Sequence, residues 1–311
     1  MTLPSGPNVA LLTTIPKSGT YYATYFLYFL HHLVQNIPLS QIFTPLPDSF
    51  HKHGVQSEMK NSLGFDNFYV CHSYCPGYDQ FLGNYKEAWE KLTLWESGYN
   101  HGWEQIEANL PLFDPTLNPE VKIVNIVRNP LDQAVSAWRH AQNHIKESNK
   151  YYVAPNGEQI ELSDPKRFLH LVGIDAFLKL FVTFRCVQQH CPKNVLLISY
   201  EKLITNPLEN FLKVLIFFGY DPITHNTVHL VQEALEYCSV PFMKKIEEMS
   251  GKTLAEDQTD EKESHIRDGG VGSWLEHFDQ NDLDLVEARL KVFGLSLANF
   301  YTTTTQLEKI G

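Results

Sequence analysis

Cysteine is scarce in this chain and cannot be paired off. Its five cysteines, Cys71, Cys75, Cys186, Cys191 and Cys238, are odd in number and irregularly spaced, which argues against a disulfide framework. Cys71 and Cys75 have no second pair to complete a zinc site, so all five are expected as free thiols in a reducing compartment. Positive charge is also short. With 25 Lys and Arg against 36 Asp and Glu, the net charge is −11, the reverse of the basic footprint that non-specific nucleic-acid binding needs. No apolar run suits a bilayer: the most apolar, residues 21–34, is too short and contains His31 and His32. The opening "MTLPSGPN" lacks a basic region followed by an apolar core. No secretory signal is therefore expected, and the predicted location is the cytoplasm, with neither a membrane nor a nucleic acid as partner. The pairs His31-His32 and His51/His53 lack a third ligand at suitable spacing, so no metal is expected. Repeats and low-complexity tracts are missing as well.

What is present is 311 residues, 43% hydrophobic and 20% charged, enough to bury a sizeable core. That length suits two domains or one large α/β domain equally. The apolar runs at residues 9–14, 68–71, 121–127 and 195–199 are short and rich in β-branched residues, and each is followed by a helix-like segment. They predict an α/β fold with a central parallel sheet flanked by helices. Between residues 87 and 117 the pattern breaks, and Trp89, Trp95, Tyr99 and Trp103 stand among polar residues. An inserted helical and aromatic cap beside the substrate is expected there. Residues 249–270 are dense in charge and poor in apolar side chains, which fits a solvated loop and a mobile lid equally well. Residues 280–293 carry apolar positions at helical spacing and are expected to close the fold.

Three stretches carry chemistry. The first is the run 9–14 followed by Ile15-Pro16-Lys17-Ser18-Gly19-Thr20, which reads as strand, loop and helix. Gly19 lets a ligand approach the backbone. The amides and dipole at the helix start favour an anion, to which Lys17 adds a charge and Ser18 and Thr20 add donors. The loop is not a Walker A motif, because its lysine precedes Ser-Gly-Thr instead of following a glycine-rich run. Taken alone, it also reads as a helix capped by Ser18 with a surface lysine. The second stretch is "VKIVNIVRNPLDQAVSAWRH". Arg128 ends a strand, where open α/β sheets place ligands, and Ser136 follows on the helix. Asn129 suits the cap, Pro130 the first helical position and Asp132 the first turn. Arg128 with Ser136 is a phosphate clamp or, equally, Arg128 is one half of an ordinary ion pair. The third is "HIRDGGVGSWLEHF", where Arg267 stands beside Gly269, Gly270 and Gly272.

Together these stretches resemble the soluble, small-molecule branch of the PAPS-dependent sulfotransferase family. That family carries Pro-Lys-Ser-Gly-Thr near its N-terminus, Arg-Asn-Pro/Ala-x-Asp-x-x-x-Ser in mid-chain and Arg-Lys-Gly-x-x-Gly-Asp-Trp near its C-terminus. The order and separations match over most of the chain. The resemblance implies a P-loop-NTPase-like sulfotransferase fold in a single domain over residues 1–311. It implies transfer of a sulfuryl group from PAPS to a hydroxyl or an amine or guanidine nitrogen of a small organic acceptor, with PAP released and no metal. Lys17, Ser18, Gly19, Thr20, Tyr21 and Tyr22 are implied to hold the 5′-phosphosulfate end. Arg128, Ser136, Arg267, Asp268 and Gly269 are implied to hold the 3′-phosphate. "ISYEKL" resembles the family's Tyr-Glu-Asp segment and places Tyr200 near the adenine. "CSVPFMKK" resembles the segment that closes over the base and offers Cys238, Ser239 and Val240. "NFYVCHSYCPG" resembles the strand that ends in the catalytic histidine and offers His72 as general base, with Lys17 and Ser136 assisting.

The chain departs from the family at several points. Val70 and Asp268 replace lysines, Ser273 replaces an aspartate, and the aromatic of the first loop is shifted to Tyr21-Tyr22. No family dimer segment is visible near "LEHFDQNDLD", so no oligomeric state is assigned. The acidic balance leaves room for a cationic acceptor, including a toxin-type natural-product alkaloid. Two rival readings remain, a P-loop small-molecule kinase using ATP and magnesium, and an inactive nucleotide-binding partner protein.

Overall fold

A computed structural model describes residues 9–37, 54–55, 67–72, 78–92, 110–145, 151–153, 157–161, 163–250 and 270–300. Strand β1 (Val9–Thr14) leads into helix α1 (Thr20–Val34), followed by β2 (Gly54–Val55) and β3 (Asn67–His72). Short helices α2 (Lys86–Glu90) and α3 (Leu110–Phe113) precede β4 (Lys122–Val127) and the long α4 (Pro130–Ile145). A β5 (Tyr151–Val153) and β6 (Gln159–Glu161) hairpin and α5 (Pro165–Phe168) then lead to α6 (Ile174–His190) and β7 (Val195–Ser199). After these come α7 (Tyr200–Thr205), α8 (Pro207–Phe218), α9 (Val228–Tyr237), α10 (Val240–Ser250) and α11 (Gln280–Lys291).

The main sheet has the order β2-β3-β1-β4-β7. Pairings β3–β1, β1–β4 and β4–β7 are parallel, whereas β2 adds an antiparallel edge. The four predicted runs therefore form the parallel sheet. Every residue of β1 is buried, as expected of a strand covered on both faces. Alternation splits the core in two. Val9 and Leu11 of β1 join Ile123 and Val127 of β4 under α4, α6 and α11. Ala10 and Leu12 join Val124 and Ile126 under α1, α8 and α9. Each large apolar side chain fully withdrawn from water, such as Phe26, Phe29 or Phe177, contributes about 1.5–3 kcal/mol.

This topology fixes where a ligand can sit. The loop after β1 leads to α1 on one face, and the chain then joins β3 on one side of β1. The loop after β4 leads to α4 on the opposite face, and the chain then joins β7 on the far side. The connections diverge between β1 and β4, and a crevice opens there at the carboxyl ends of the strands.

The predicted closing helix is α11. Asp279 caps it, taking the amides of Asn281 and Asp282 while Asp282 answers the amide of Asp279. Lys166 and His170 pair with Asp282 and tie α11 to the α5–α6 region. In the expected insert, α2 and α3 are helical, and residues 93–109, with Trp95, Tyr99 and Trp103, lie outside the described residues. Trp89 belongs to the core: its indole N–H donates to the Lys179 carbonyl and to Thr183 Oγ1. Positions 249 and 250 of the expected charged loop are helical instead, because α10 runs to Ser250. Residues 251–269 lie outside the described residues.

Candidate functional site

The first loop grows directly out of the sheet. The Ile15 amide continues the ladder by donating to the Ile126 carbonyl (3.1 Å), and the Ser18 amide closes a turn onto the Ile15 carbonyl (3.0 Å). Lys17 and Gly19 both adopt the left-handed conformation, with φ of 67° and 94°. Gly19 is the N-cap of α1, and no side chain caps the helix. The reading of Ser18 as a cap is therefore replaced: its Oγ is buried and has no partner. Thr14 and Thr20 brace the loop through a 2.5 Å hydroxyl–hydroxyl contact. The amides of the first turn of α1 have no acceptor within the helix, and its dipole adds positive potential.

The second loop holds the first from the side. Gln133 Nε2 donates to the Pro16 carbonyl (2.9 Å) and Arg128 Nη1 to the Lys17 carbonyl (3.3 Å). Asn129 caps α4 as its residue type predicts, Oδ1 accepting from the Leu131 amide at 2.9 Å. The Asn129 amide in turn donates to Glu201 Oε1 (2.8 Å). Burial pushes the Glu201 carboxyl above its ordinary range, opposed by the Asn129 amide and by the charge of Arg128.

Tyr200 joins the two loops. Its ring lies 4.8 Å from the Arg128 guanidinium and packs so closely on Gly19 that a Cβ there would sit 2.4 Å from Tyr200 Cδ2. Tyr22 meets the same ring edge-on, with centroids 6.5 Å apart. Burial raises the Tyr22 phenol, and the nearby Cys238 and Tyr200 add to that rise. Cys238 is itself buried, at the end of α9, and Val240 opens α10. The α9–α10 junction that carries Cys238, Ser239 and Val240 thus lies beside the first turn of α1.

The third stretch docks on the start of α4. Asp132 Oδ2 accepts from the Gly272 amide (2.8 Å), and Oδ1 accepts from Ser273 Oγ (2.9 Å) and the Trp274 amide (3.3 Å). Arg128 Nη2 donates to the Gly270 carbonyl at 2.9 Å. Arg267, Asp268 and Gly269 lie outside the described residues. Ser136 is buried in the second turn of α4. His72 is the last residue of β3, in register with Thr14 at the edge where the first loop begins. Val70 is buried in β3, in the core layer beneath α1.

Among the described residues, orphaned buried polar atoms gather at this edge: Ser18 Oγ, Arg128 Nε, Asn129 Nδ2, Gln133 Oε1, Glu201 Oε2 and both amide atoms of Asn125. Each such atom costs about 1–3 kcal/mol if nothing satisfies it. The donors among them, Ser18 Oγ, Arg128 Nε and Asn129 Nδ2, suit an anion, whereas the oxygens of Gln133, Glu201 and Asn125 need a donor from a ligand or water. Gln133, Glu201 and Asn125 were not singled out in the sequence. For Asn125 and Glu201 the available signal was a polar side chain inside or just after an otherwise apolar strand; Gln133, in the first turn of α4, carried none.

No helix among the described residues is long and apolar enough to cross a membrane. The model of the sulfotransferase domain family matches residues 7–294. "Cytosolic sulfotransferase 14" of Arabidopsis thaliana is 24% identical over 296 residues, 93% of this chain and 77% of that one. Among solved structures, mouse sulfotransferase SULT7A1 complexed with PAP aligns with a TM-score of 0.52 at 17% identity, covering 92% of this chain and 83% of that one. Retinol dehydratase in complex with androsterone and inactive cofactor PAP aligns at 0.55 and 16% identity, covering 92% and 80%. At these identities the structural matches speak for the fold.

Proposed function

The chain belongs to the sulfotransferase domain family, and on that premise we propose that it moves a sulfuryl group from PAPS to a hydroxyl or an amine or guanidine nitrogen of a small organic acceptor, releasing PAP. The observation that carries this reading is the joining of the two strand-end loops through Arg128, which touches Lys17, Tyr200 and Gly270 at once. A lysine-bearing loop at one end and an arginine at the other suit a nucleotide with an anion at each end.

In this reading Lys17, Ser18, Gly19, Thr20, Tyr21 and Tyr22 bind the phosphosulfate, and Lys17 stabilises charge on the oxygen that bridges sulfur and phosphorus. Arg128 and Ser136, with Arg267, Asp268 and Gly269, take the 3′-phosphate, and Tyr200, Cys238, Ser239 and Val240 flank the base. Transfer is an in-line displacement: the acceptor oxygen or nitrogen bonds to sulfur, the sulfur–oxygen bond to PAP breaks, and His72 takes the acceptor's proton. The net charge of −11 leaves room for a cationic acceptor, including a toxin-type natural-product alkaloid.

The test is sulfate transfer from PAPS to a panel of hydroxyl and amine acceptors. His72→Ala should cut turnover by about 10²–10⁴ while leaving PAP binding intact. Full turnover in that variant removes His72 from the role, and no transfer to any acceptor by the parent protein counts against the reaction.

A further inference from the structure

We propose that Asp132 is a positioning residue for Arg128, fixing the guanidinium for the 3′-phosphate from a distance. This inference rests on the reading of Arg128 as the 3′-phosphate ligand. An aspartate in the first turn of a helix ordinarily complements the dipole or caps its own amides. Asp132 is fully buried and does something else: its two oxygens take three donors from a segment far along the chain, Gly272 N, Ser273 Oγ and Trp274 N.

The consequence reaches Arg128 through the backbone. Gly272 has φ of 92°, so the chain turns sharply just where Asp132 grips it. The segment Gly270 to Gly272 is thereby set, and the Gly270 carbonyl lands 2.9 Å from Arg128 Nη2. The Lys17 carbonyl takes Nη1, and Tyr200 covers a face of the group. A guanidinium has five N–H donors in a rigid fork. Fastening it at two of them and along one face removes its rotational freedom, while Nε, buried and unpartnered, still lacks an acceptor. An anion meeting such a group pays little of the ordering entropy that a free arginine would lose. The contact that Asp132 makes is thus spent on the orientation of a different side chain. Ser273 completes the grip by donating its hydroxyl.

The test compares PAP with 5′-AMP, which lacks the 3′-phosphate, by calorimetry. Asp132→Asn turns one accepting oxygen into a donor facing other donors. It should weaken PAP on the order of tenfold or more, the scale of lost hydrogen bonds to a charged group, and leave 5′-AMP within about twofold. Ser273→Ala should shift the same way by less, and it carries the test if Asp132→Asn does not fold. In an Arg128→Ala background, Asp132→Asn should add nothing further. Equal losses for PAP and 5′-AMP, or unchanged PAP binding, overturn the positioning role. A parent protein that does not prefer PAP over 5′-AMP instead overturns the reading of the site itself, and the proposal with it.

Discussion

Two separate constraints meet at Gly19. Its φ of 94° is one that a side chain with a Cβ adopts only with strain of about 1–2 kcal/mol. Independently, the Tyr200 ring occupies the space where the Cβ would go, at 2.4 Å. The contact is with ring carbons and cannot be relieved by moving a flexible tip. Because the same ring faces Arg128, displacing it disturbs both anion loops at once. Gly19→Ala should therefore weaken PAP by about tenfold or more, beyond its effect on the thermal midpoint. Trimming the ring in the double variant Gly19→Ala/Tyr200→Leu should remove the overlap but not the backbone strain. The two substitutions should then be non-additive in a double-mutant cycle read by PAP affinity. Simple additivity would mean that the ring contact does not decide the requirement for glycine.

Among the elements, α1 joins the site to a buried pair of histidines. His31 and His32 lie in its last turn, both buried, with ring centroids 5.2 Å apart, and His32 Nδ1 is bonded to the Tyr28 carbonyl. Burial, and then the neighbouring His32, lower the His31 pKa to about 4. The unfolded chain takes up this proton near pH 6.5, while the folded chain resists it until about pH 4. Stability is therefore complete above pH 6.5, falls as pH drops from there toward 4, and levels off below, with about 1–3 kcal/mol at stake. Denaturant midpoints at pH 7.5 and 5 should differ accordingly, and His31→Phe should shrink the difference. An unchanged difference would assign the acid loss to other groups. The same helix shows what the sequence could convey. Its onset after the apolar run 9–14 was legible, since a strand buried on both faces is apolar throughout. Its cap was not, because Ser18 has a capping residue's chemistry while Gly19, in the left-handed conformation, occupies the cap position. Strand β4 was legible for the same reason as β1, and β7 as a short apolar run, although as an edge strand it is only partly buried. The two-residue β2 leaves no run to detect. Asp132 was placed correctly in a first turn, but its partners lie some 140 residues away and exist only once the fold brings them there.

At the scale of the whole molecule, the site belongs to no single segment. Lys17 follows β1, Arg128 follows β4, Tyr200 follows β7, and Gly270 arrives from beyond α10. Unfolding disperses all four, so a ligand that spans them binds the native state alone and stabilises it by RT ln(1 + [L]/Kd). At a hundredfold excess over Kd that is about 2.7 kcal/mol, or roughly 5 °C in thermal midpoint for a chain of this size. The identity of the ligand that delivers the shift separates the two chemistries this loop architecture could serve. A kinase site needs magnesium, ordinarily held with help from an acidic side chain at a strand end, and here strand β4, the neighbour of β1, is followed by Arg128. An arginine instead suits an anion at the far end of the nucleotide. PAP without magnesium should therefore raise the midpoint by several degrees, and ADP with magnesium should raise it little. Arg128→Ala should remove most of the PAP shift, because it cuts a side chain that touches the first loop, Tyr200 and Gly270 together. A shift from ADP that requires magnesium and exceeds that of PAP would reverse the assignment of the donor.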